Sequence, residues 1–176
     1  MAEPANWTKL NDEVFYADGP IVRLDTGDIA FLKRHAAKTP RGCARVCAHP
    51  GADDLLHEMV IVLTKGFCVT PHRHRGKSES FHVIEGALTI VIFDDDGAIR
   101  DVIPMAPPGS DRTFYYRLPE KMYHTVIPET DVVVFHETTN GPFKREDMEF
   151  AAWAPGENDP DDERRDFVRG LVERIA

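Results

Sequence analysis

The hydrophobic pattern of the chain changes at Val60. From there to residue 135 the chain consists of short apolar runs rich in β-branched and aromatic residues, which is typical of β-strands. Turn-forming pairs such as Lys65-Gly66, Glu85-Gly86 and Asp96-Gly97 separate the runs. The predicted strands cover residues 60–64, 67–70, 80–84, 87–93, 98–103, 113–118, 125–127 and 132–135. Strands that recur about every eight to twelve residues predict an all-β-dominated fold, an antiparallel sandwich or barrel.

Two segments outside these strands have the residue spacing of helices. Asp28 is the predicted N-cap of a short helix, whose apolar positions are Ile29, Leu32 and Ala36. Near the C-terminus, Asp159 and Pro160 predict the start of a second helix, because an acidic N-cap followed by proline is typical of a first helical turn. The apolar stripe of this helix is formed by Phe167, Leu171 and Ile175.

The same pattern divides a single domain into three parts. Residues 1–59 are predicted to form strands and a helix that pack on the barrel, residues 60–139 the barrel core, and residues 140–176 a C-terminal extension that ends in a helix. Asp53 or Asp54 is predicted to begin a short helical turn that continues through Met59.

The run from 88 to 93 is apolar at nearly every position, so both faces of this strand are predicted to be covered. Either a neighbouring segment of the chain or a second copy could cover the outer face. On this basis we expect a homodimer.

Composition narrows the classes of partner. The chain has 176 residues and a formal net charge of −9, which disfavours nucleic acid or an anionic membrane surface as the main partner. A local basic pocket for a small anionic substrate stays compatible with this charge. No apolar run is long enough for a membrane span, and the three cysteines do not form a disulfide framework. We expect a cytoplasmic protein with buried free thiols at Cys43 and Cys47.

Three residues with metal-ligating side chains occur within one short stretch. His72 and His74 are two apart, so on a strand both imidazoles project from the same face. Glu79 lies at an odd spacing from them, and a turn at Gly76 would bring it back to that face on a second strand. A distant fourth ligand would complete the site, and His124 is the candidate.

Three imidazoles and one carboxylate are suited to zinc or iron above all, and also to manganese, nickel or copper. Four protein ligands on a six-coordinate ion leave two positions for water or substrate, which is a catalytic rather than a structural pattern. The alternative without metal is that the histidines cap a strand and Glu79 pairs with Arg75 or Lys77.

The stretch resembles the first sequence motif of the cupins. Gly66, His72, His74, Glu79 and Gly86 match it at every fixed position. The second cupin motif is matched only in part. Pro119 and His124 agree with it, whereas Thr113, Lys121 and Pro128 do not. The resemblance implies a small jelly-roll barrel with the metal ligands His72, His74, Glu79 and His124.

A longer stretch, from about Arg41 to the C-terminus, resembles WbuC-type cupins, which occur in bacterial surface-polysaccharide gene clusters and elsewhere. The residues that carry the likeness are His49-Pro50 with Asp53, Pro71-His72-Arg-His74, Phe93-Asp-Asp-Asp-Gly97, Gly141-Pro142-Phe143 and Phe150-Ala-Ala-Trp153-Ala-Pro155. This resemblance implies a small polar substrate, such as a sugar derivative.

Candidate catalytic residues are Tyr115, Tyr116 and His49. The two tyrosines lie on a predicted strand near His124 and could present a phenol to a polar ligand, although ordinary strand positions would look the same. His49 matches the WbuC pattern and could reach the mouth of a pocket, or it could be a loop histidine without function. Glu137 is a further ionisable side chain to inspect.

Three functions are compatible with these residues. The first is a metal-dependent enzyme with isomerase- or epimerase-like Lewis-acid chemistry on a small polar or sugar-related substrate. The second is a metal-dependent dioxygenase, and the third is a non-catalytic module that binds or senses a small ligand through the same metal.

Overall fold

The computed structural model of the protein describes residues 4, 6–119 and 121–175. This part of the chain forms twelve strands and two α-helices. In chain order the strands are β1 (Trp7–Lys9), β2 (Val14–Ala17), β3 (Cys43–Cys47), β4 (Leu56–Thr64), β5 (His72–His74), β6 (Glu79–Glu85), β7 (Leu88–Phe93), β8 (Ile99–Met105), β9 (Tyr115–Leu118), β10 (Tyr123–Pro128), β11 (Val132–Asn140) and β12 (Met148–Phe150). The helices are α1 (Thr26–Ala36) and α2 (Asp161–Ile175), and a 3₁₀ turn covers Arg145–Asp147.

The strands form two sheets. The larger has the order β1-β2-β3-β4-β11-β6-β9, and the smaller has the order β12-β5-β10-β7-β8. Every pair is antiparallel except β2 with β3. From β4 onward consecutive strands alternate between the sheets, except that β7 and β8 are neighbours in the smaller one, and this is the chain path of a jelly roll. The antiparallel sandwich with one N-terminal and one C-terminal helix that the sequence predicts is therefore confirmed.

The main core lies between the two sheets. Phe81 and Val83 of β6 point into it, whereas His82 between them is exposed, as strand alternation requires. From the facing sheet, Ile90 and Ile92 of β7 join the same cluster. Several residues of this core, among them Phe81, Phe135 and Val126, also line the cavity of the candidate site.

The outer face of β7 is covered by the C-terminal extension. Val91 and Phe93 belong to a second cluster with Leu171 of α2, and all three are almost completely buried. The Trp153 ring lies 4.9 Å from the ring of Phe93, measured between centroids. A neighbouring segment therefore satisfies both faces of β7, so the two-sided apolar pattern no longer argues for a dimer, which stays a prediction.

Helix α1 packs on the outer face of the larger sheet through Leu32 and Ala36, both fully buried. Its N-cap is Asp25, whose carboxylate accepts hydrogen bonds from the backbone N–H groups of Gly27 (2.6 Å) and Asp28 (3.2 Å). The Asp28 carboxylate accepts in return from the Asp25 N–H, which completes a capping box. The predicted N-cap at Asp28 is thus wrong by three residues, because this aspartate is the other half of the same box.

The predicted helical turn through Met59 is also wrong. Residues from Leu56 onward form β4, which pairs with all nine residues of β11 and with β3. This long pairing outweighs the local helical signal of Asp53 and Asp54. The strand predicted for 67–70 is instead an irregular connection, although the Val69 carbonyl still accepts a hydrogen bond from the Thr125 hydroxyl (2.5 Å).

Two smaller observations complete the fold. Cys43 and Cys47 are buried free thiols, as predicted, and burial is the main cause that raises the pKa of Cys43 to about 12. Over the described residues, no helix has the length and hydropathy needed to cross a membrane.

Candidate metal centre

Three histidines converge at the open end of the sandwich. β5 carries His72 and His74 at its two ends, and β10 places His124 directly opposite His72 in the antiparallel register. Their candidate ligand atoms all lie within 4.8 Å of one another. Strand pairing thus joins a local His-x-His pattern to a histidine about fifty residues later in the chain.

Glu79 reaches the same point from the facing sheet. It is the first residue of β6 and is 4% exposed. Its Oε1 atom lies 3.0 Å from Nε2 of His124, and its Oε2 atom lies 3.3 Å from Nε2 of His74. The turn between β5 and β6 contains Gly76 with φ of 68°, a left-handed conformation that favours glycine. The structure therefore brings all four residues with metal-ligating side chains together.

Backbone carbonyls fix the tautomers of two of the histidines. Nδ1 of His72 lies 2.9 Å from the Thr70 carbonyl oxygen, and Nδ1 of His124 lies 3.1 Å from that of Met122. A carbonyl oxygen only accepts, so each Nδ1 carries a proton and each Nε2 keeps a free lone pair when the ring is neutral. This is the hydrogen-bonding arrangement that orients metal-binding histidines.

Nε2 of His124 is buried and has no hydrogen-bond partner among the described residues, because its close contact with Glu79 does not have hydrogen-bond geometry. A buried nitrogen lone pair without a partner is costly, and a metal ion would satisfy it. The donor set of three imidazoles and one carboxylate also suits a divalent transition metal. The residues present therefore fit such an ion.

The protonation states of His72 and Glu79 point the same way. Burial, with a smaller contribution from His124, lowers the pKa of His72 to about 3, so that this ring is neutral at physiological pH. Burial alone would raise the pKa of Glu79, but its contacts with His124 and His74 outweigh burial and hold it well below its usual range. A neutral imidazole and an ionised carboxylate are the forms that bind metal. Burial alone would lower the pKa of His124, but the Glu79 charge outweighs burial and raises it, so a metal ion would displace a proton from this ring on binding.

The four side chains line a cavity of about 300 Å³ between the sheets. Aromatic side chains of Phe81, Phe135 and Phe150 form part of its wall. Such a volume is at the lower limit of the range typical of small-ligand sites. The cavity can therefore hold a small molecule beside the imidazoles.

Glu137 is a carboxylic side chain of this cavity that is not a candidate ligand. It lies on β11, where it pairs with Phe81 of β6, and it is half-buried. Burial and then the charge of Glu79 raise its pKa to about 8, against smaller opposing effects of Arg45 and His124. A carboxyl group with a pKa near neutrality can both take up and release a proton in the physiological range.

The three candidate catalytic residues lie in different places. Tyr116 is buried and its hydroxyl donates a hydrogen bond to Oε1 of Glu79 (2.7 Å), so it contacts the centre through this carboxylate. Burial and the Glu79 charge raise its pKa well above the usual value. Tyr115 is 50% exposed on the opposite face of β9, because neighbouring strand residues alternate. The structure does not bring Tyr115 to the cavity.

His49 is also outside the cavity lining. It is buried and stacks on His57, with 4.0 Å between ring centroids and 7° between ring planes. Its Nδ1 atom lies 3.1 Å from the Glu58 carbonyl oxygen. Because burial is the main cause that lowers the pKa of His49, this ring stays neutral in a packed environment.

The strand that carries the histidines is held from outside by Glu149, a residue that the sequence reasoning missed. The Glu149 carboxylate accepts hydrogen bonds from Arg73 Nη2 (2.6 Å), from Arg75 Nε (3.0 Å) and Nη2 (2.8 Å), and from the Tyr123 hydroxyl (2.9 Å). The only local signal is the alternation of arginines with His72 and His74, which predicts that the outer face of β5 needs an acidic partner.

Comparisons with known proteins are consistent with this architecture. Residues 24–105 match the family model of a domain of unknown function, DUF6016. No curated protein matches the chain. Among solved structures, the capsular polysaccharide assembling protein CapF from Staphylococcus aureus has a TM-score of 0.51 at 20% identity, over 64% of this chain and 32% of that one. The chain has the cupin fold.

Two further structures show weaker likeness. A Shewanella oneidensis protein has a TM-score of 0.48 at 15% identity, over 58% of this chain and 65% of that one. The cupin domain of Cnp3 from Schizosaccharomyces pombe has a TM-score of 0.44 at 12% identity, over 56% of this chain and 64% of that one. The chain thus spans less than two thirds of the length of these three proteins, and at such identities the likeness concerns the fold alone. The narrower resemblance to WbuC-type cupins stays a prediction.

Proposed function

We propose that the protein is a metal-dependent enzyme that acts on a small polar or sugar-related substrate by isomerase- or epimerase-like chemistry. The observation that carries this proposal is the shared cavity, in which four residues that fit a metal ion and the ionisable carboxyl group of Glu137 face the same 300 Å³ space. A module that only binds a ligand has no need of a carboxyl group poised to exchange a proton beside that ligand.

His72, His74, Glu79 and His124 would hold the ion, with zinc or iron as the first candidates and manganese, nickel or copper as alternatives. The bound ion would supply Lewis acidity, which makes a proton on the carbon next to a carbonyl group easier to remove. A zinc ion would separate this proposal from the dioxygenase alternative, which needs a redox-active ion.

Glu137 moves the proton. Its raised pKa places it near the operating pH, where a carboxylate is a strong enough base and the carboxyl group still a usable acid. Tyr116 is a positioning residue, because its hydrogen bond to Glu79 orients that carboxylate and satisfies one of its lone pairs. The aromatic wall that includes Phe81 and Phe135 limits the access of water to the proton in transit.

The proposal is tested by proton exchange on candidate substrates. The metal content of the purified protein is first measured by mass spectrometry, and the protein is then incubated in D₂O with a panel of aldoses, ketoses and their phosphates. NMR is expected to show deuterium entering the carbon next to the carbonyl group of at least one substrate. Glu137→Gln should abolish this exchange and retain the metal.

Glu58→Gln is the matched control, because Glu58 lies on the adjacent strand β4 with a side chain that is 45% exposed and outside the cavity lining. It should exchange at the wild-type rate. Wild-type exchange in Glu137→Gln would contradict the role of this residue. Metal-dependent binding without any exchange would instead support the binding or sensing alternative, and iron-dependent oxygen consumption would support the dioxygenase.

A further inference from the structure

A second concave region adjoins the metal cavity. It has a volume of about 420 Å³ and lies between residues 37–42, residues 64–68 and the first turn of α2. We call it the basic cleft, because its lining includes Arg41, Lys65, Arg164 and Arg165 but only one carboxylate, that of Asp161. On a chain with a formal charge of −9, this is a marked local reversal of sign.

Two of these cations are available to a ligand. Lys65 and Arg165 are exposed, and neither forms an ion pair with another residue in the part of the chain that the structure describes. Arg41 contacts Glu13 at 3.3 Å with a half-exposed side chain, so water screens this pair. Arg164 is paired with Asp161.

Arg164 also keeps unused hydrogen-bonding capacity. Its side chain is 16% exposed, and its Nε–H is buried without a hydrogen-bond partner among the described residues. A guanidinium group that Asp161 holds in place beside the cleft favours an anionic ligand there.

The basic cleft and the metal cavity are neighbours. Arg41, Phe67, Cys68 and Arg164 line both regions, so these four residues lie at the boundary between them. A molecule with an anionic group in the cleft would have to reach across this boundary to bring its other end toward His72 and His124.

We propose that the basic cleft binds a phosphate-type dianion, carried by the small substrate whose reacting end lies in the metal cavity. Phosphate oxygens accept several hydrogen bonds at once. A phosphate therefore matches the guanidinium groups of Arg164 and Arg165 and the ammonium group of Lys65 better than a singly charged carboxylate would. The concave surface strengthens the attraction, because it concentrates the field of all four cations on one ligand. The link to the metal cavity rests on the proposed function, whereas the anion site does not.

The anion site is tested on the full-length protein after removal of metal by chelation. Inorganic phosphate is titrated at low ionic strength, with isothermal calorimetry as the readout. We expect saturable binding that weakens at least tenfold in the double variant Lys65→Gln/Arg165→Gln. Both side chains are exposed, so this variant should fold normally, and circular dichroism verifies that it does.

Arg174→Gln and its combination with Lys9→Gln are the controls, since they remove the same charges at exposed positions outside the cleft lining. Arg174 lies nine residues further along the same helix, about 14 Å away. These controls should bind phosphate within twofold of the wild type. Equal loss in the control and cleft variants, or no saturable binding in the wild type, would overturn the proposal.

A second pair of titrations identifies the source of the dianion. If the substrate carries it, metal loading should tighten binding of a sugar phosphate at least fivefold, leave inorganic phosphate unchanged, and have no effect in His74→Ala. A sugar phosphate that gains nothing from the metal would overturn the link between cleft and cavity. Failure of the proposed enzymatic function would leave phosphate binding by the metal-free protein intact, so the two failures are distinguishable.

Discussion

Replacing Glu149 by glutamine should loosen the strand that carries two of the histidines without touching the metal cavity. Glu149 lies on β12, opposite Arg73 in the register of β12 with β5. Its carboxylate is shared by Arg73, Arg75 and Tyr123, and the Arg73 guanidinium also lies 4.4 Å from the centroid of the Tyr123 ring. Glutamine keeps the size of the side chain and removes the charge that these donors share.

The structure sets the size of the effect. Hydrogen bonds from Arg73, Arg75 and Tyr123, in this order of importance, lower the pKa of Glu149 from 4.5 to about 2. A shift of this size corresponds to at most about 3 kcal/mol of folding free energy. Since the network lies at the surface, where solvent screens it, we expect about 1–2 kcal/mol. For a domain of this length, that is a decrease in Tm of about 2–8 °C.

The lowered pKa of Glu149 also predicts how its stabilisation of the fold changes with pH. The pKa of Glu149 is lower in the folded than in the unfolded protein, so its stabilisation is complete above about pH 5 and decreases as the pH falls through 4.5 toward 2. Chemical unfolding of the wild type and Glu149→Gln at several pH values between 7 and 3.5 measures this directly. The difference in unfolding free energy should be largest at pH 7 and clearly smaller at pH 3.5.

Glu146→Gln is the matched control, because Glu146 is an exposed carboxylate in the adjacent 3₁₀ turn. Its unfolding free energy should stay within about 0.5 kcal/mol of the wild type at every pH. A Glu149→Gln variant as stable as this control, or one whose deficit does not change with pH, would refute the reasoning.

Three further predictions concern the site and the turn beside the C-terminal extension. His74→Ala should lose stoichiometric metal and keep the wild-type circular dichroism spectrum; full metal occupancy would contradict the ligand assignment. In the metal-free protein, Glu137→Gln should be more stable than the wild type by about 1–2 kcal/mol at pH 8 and equally stable at pH 4.5, because the raised pKa of Glu137 makes the wild type lose stability between these pH values. Urea unfolding measures the difference in unfolding free energy between the two proteins, and a difference that does not change with pH would argue against a raised pKa. Gly97→Ala should lower the free energy of unfolding by about 1–3 kcal/mol, because a Cβ atom would lie 2.8 Å from the Trp153 ring at a φ of 87°. In Gly19→Ala the Cβ atom meets no neighbour within 4 Å, so the loss should be smaller, and equal losses of Tm in these two variants would exclude the steric contribution of Trp153.

The sequence predicted the parts of the site that depend on local periodicity. Alternation along β6 places Phe81 inside and His82 outside, and the odd spacing before Glu79 requires the turn at Gly76. His124 could be proposed as the fourth ligand because Pro119 and His124 match the second cupin motif, even though Lys121 departs from that motif. Lys121 adopts the left-handed conformation (φ of 70°) at the position where the motif has glycine.

The remaining parts of the site depend on pairings between distant segments. Nothing around Glu149 predicts β12, a three-residue strand whose partner lies about 75 residues earlier. Glu137 faces the cavity because it lies two residues after Phe135, a core residue of β11, and opposite Phe81 of β6. Sequence periodicity indicates that β11 alternates but not which of its faces meets the core. The fold could therefore be predicted more completely than the lining of its cavity.

The C-terminal extension links these features. Residues 140–176 contribute Leu171, which covers the outer face of β7, and Glu149, which holds the outer face of β5. The same segment brings Arg164 to the lining of both the metal cavity and the basic cleft. Because one segment stabilises the outer face of the smaller sheet and also shapes the entrance to the site, its removal should impair folding and ligand binding together. A single substitution at Arg165 separates the two roles, since this exposed side chain of the segment contributes charge to the cleft without being buried in the core.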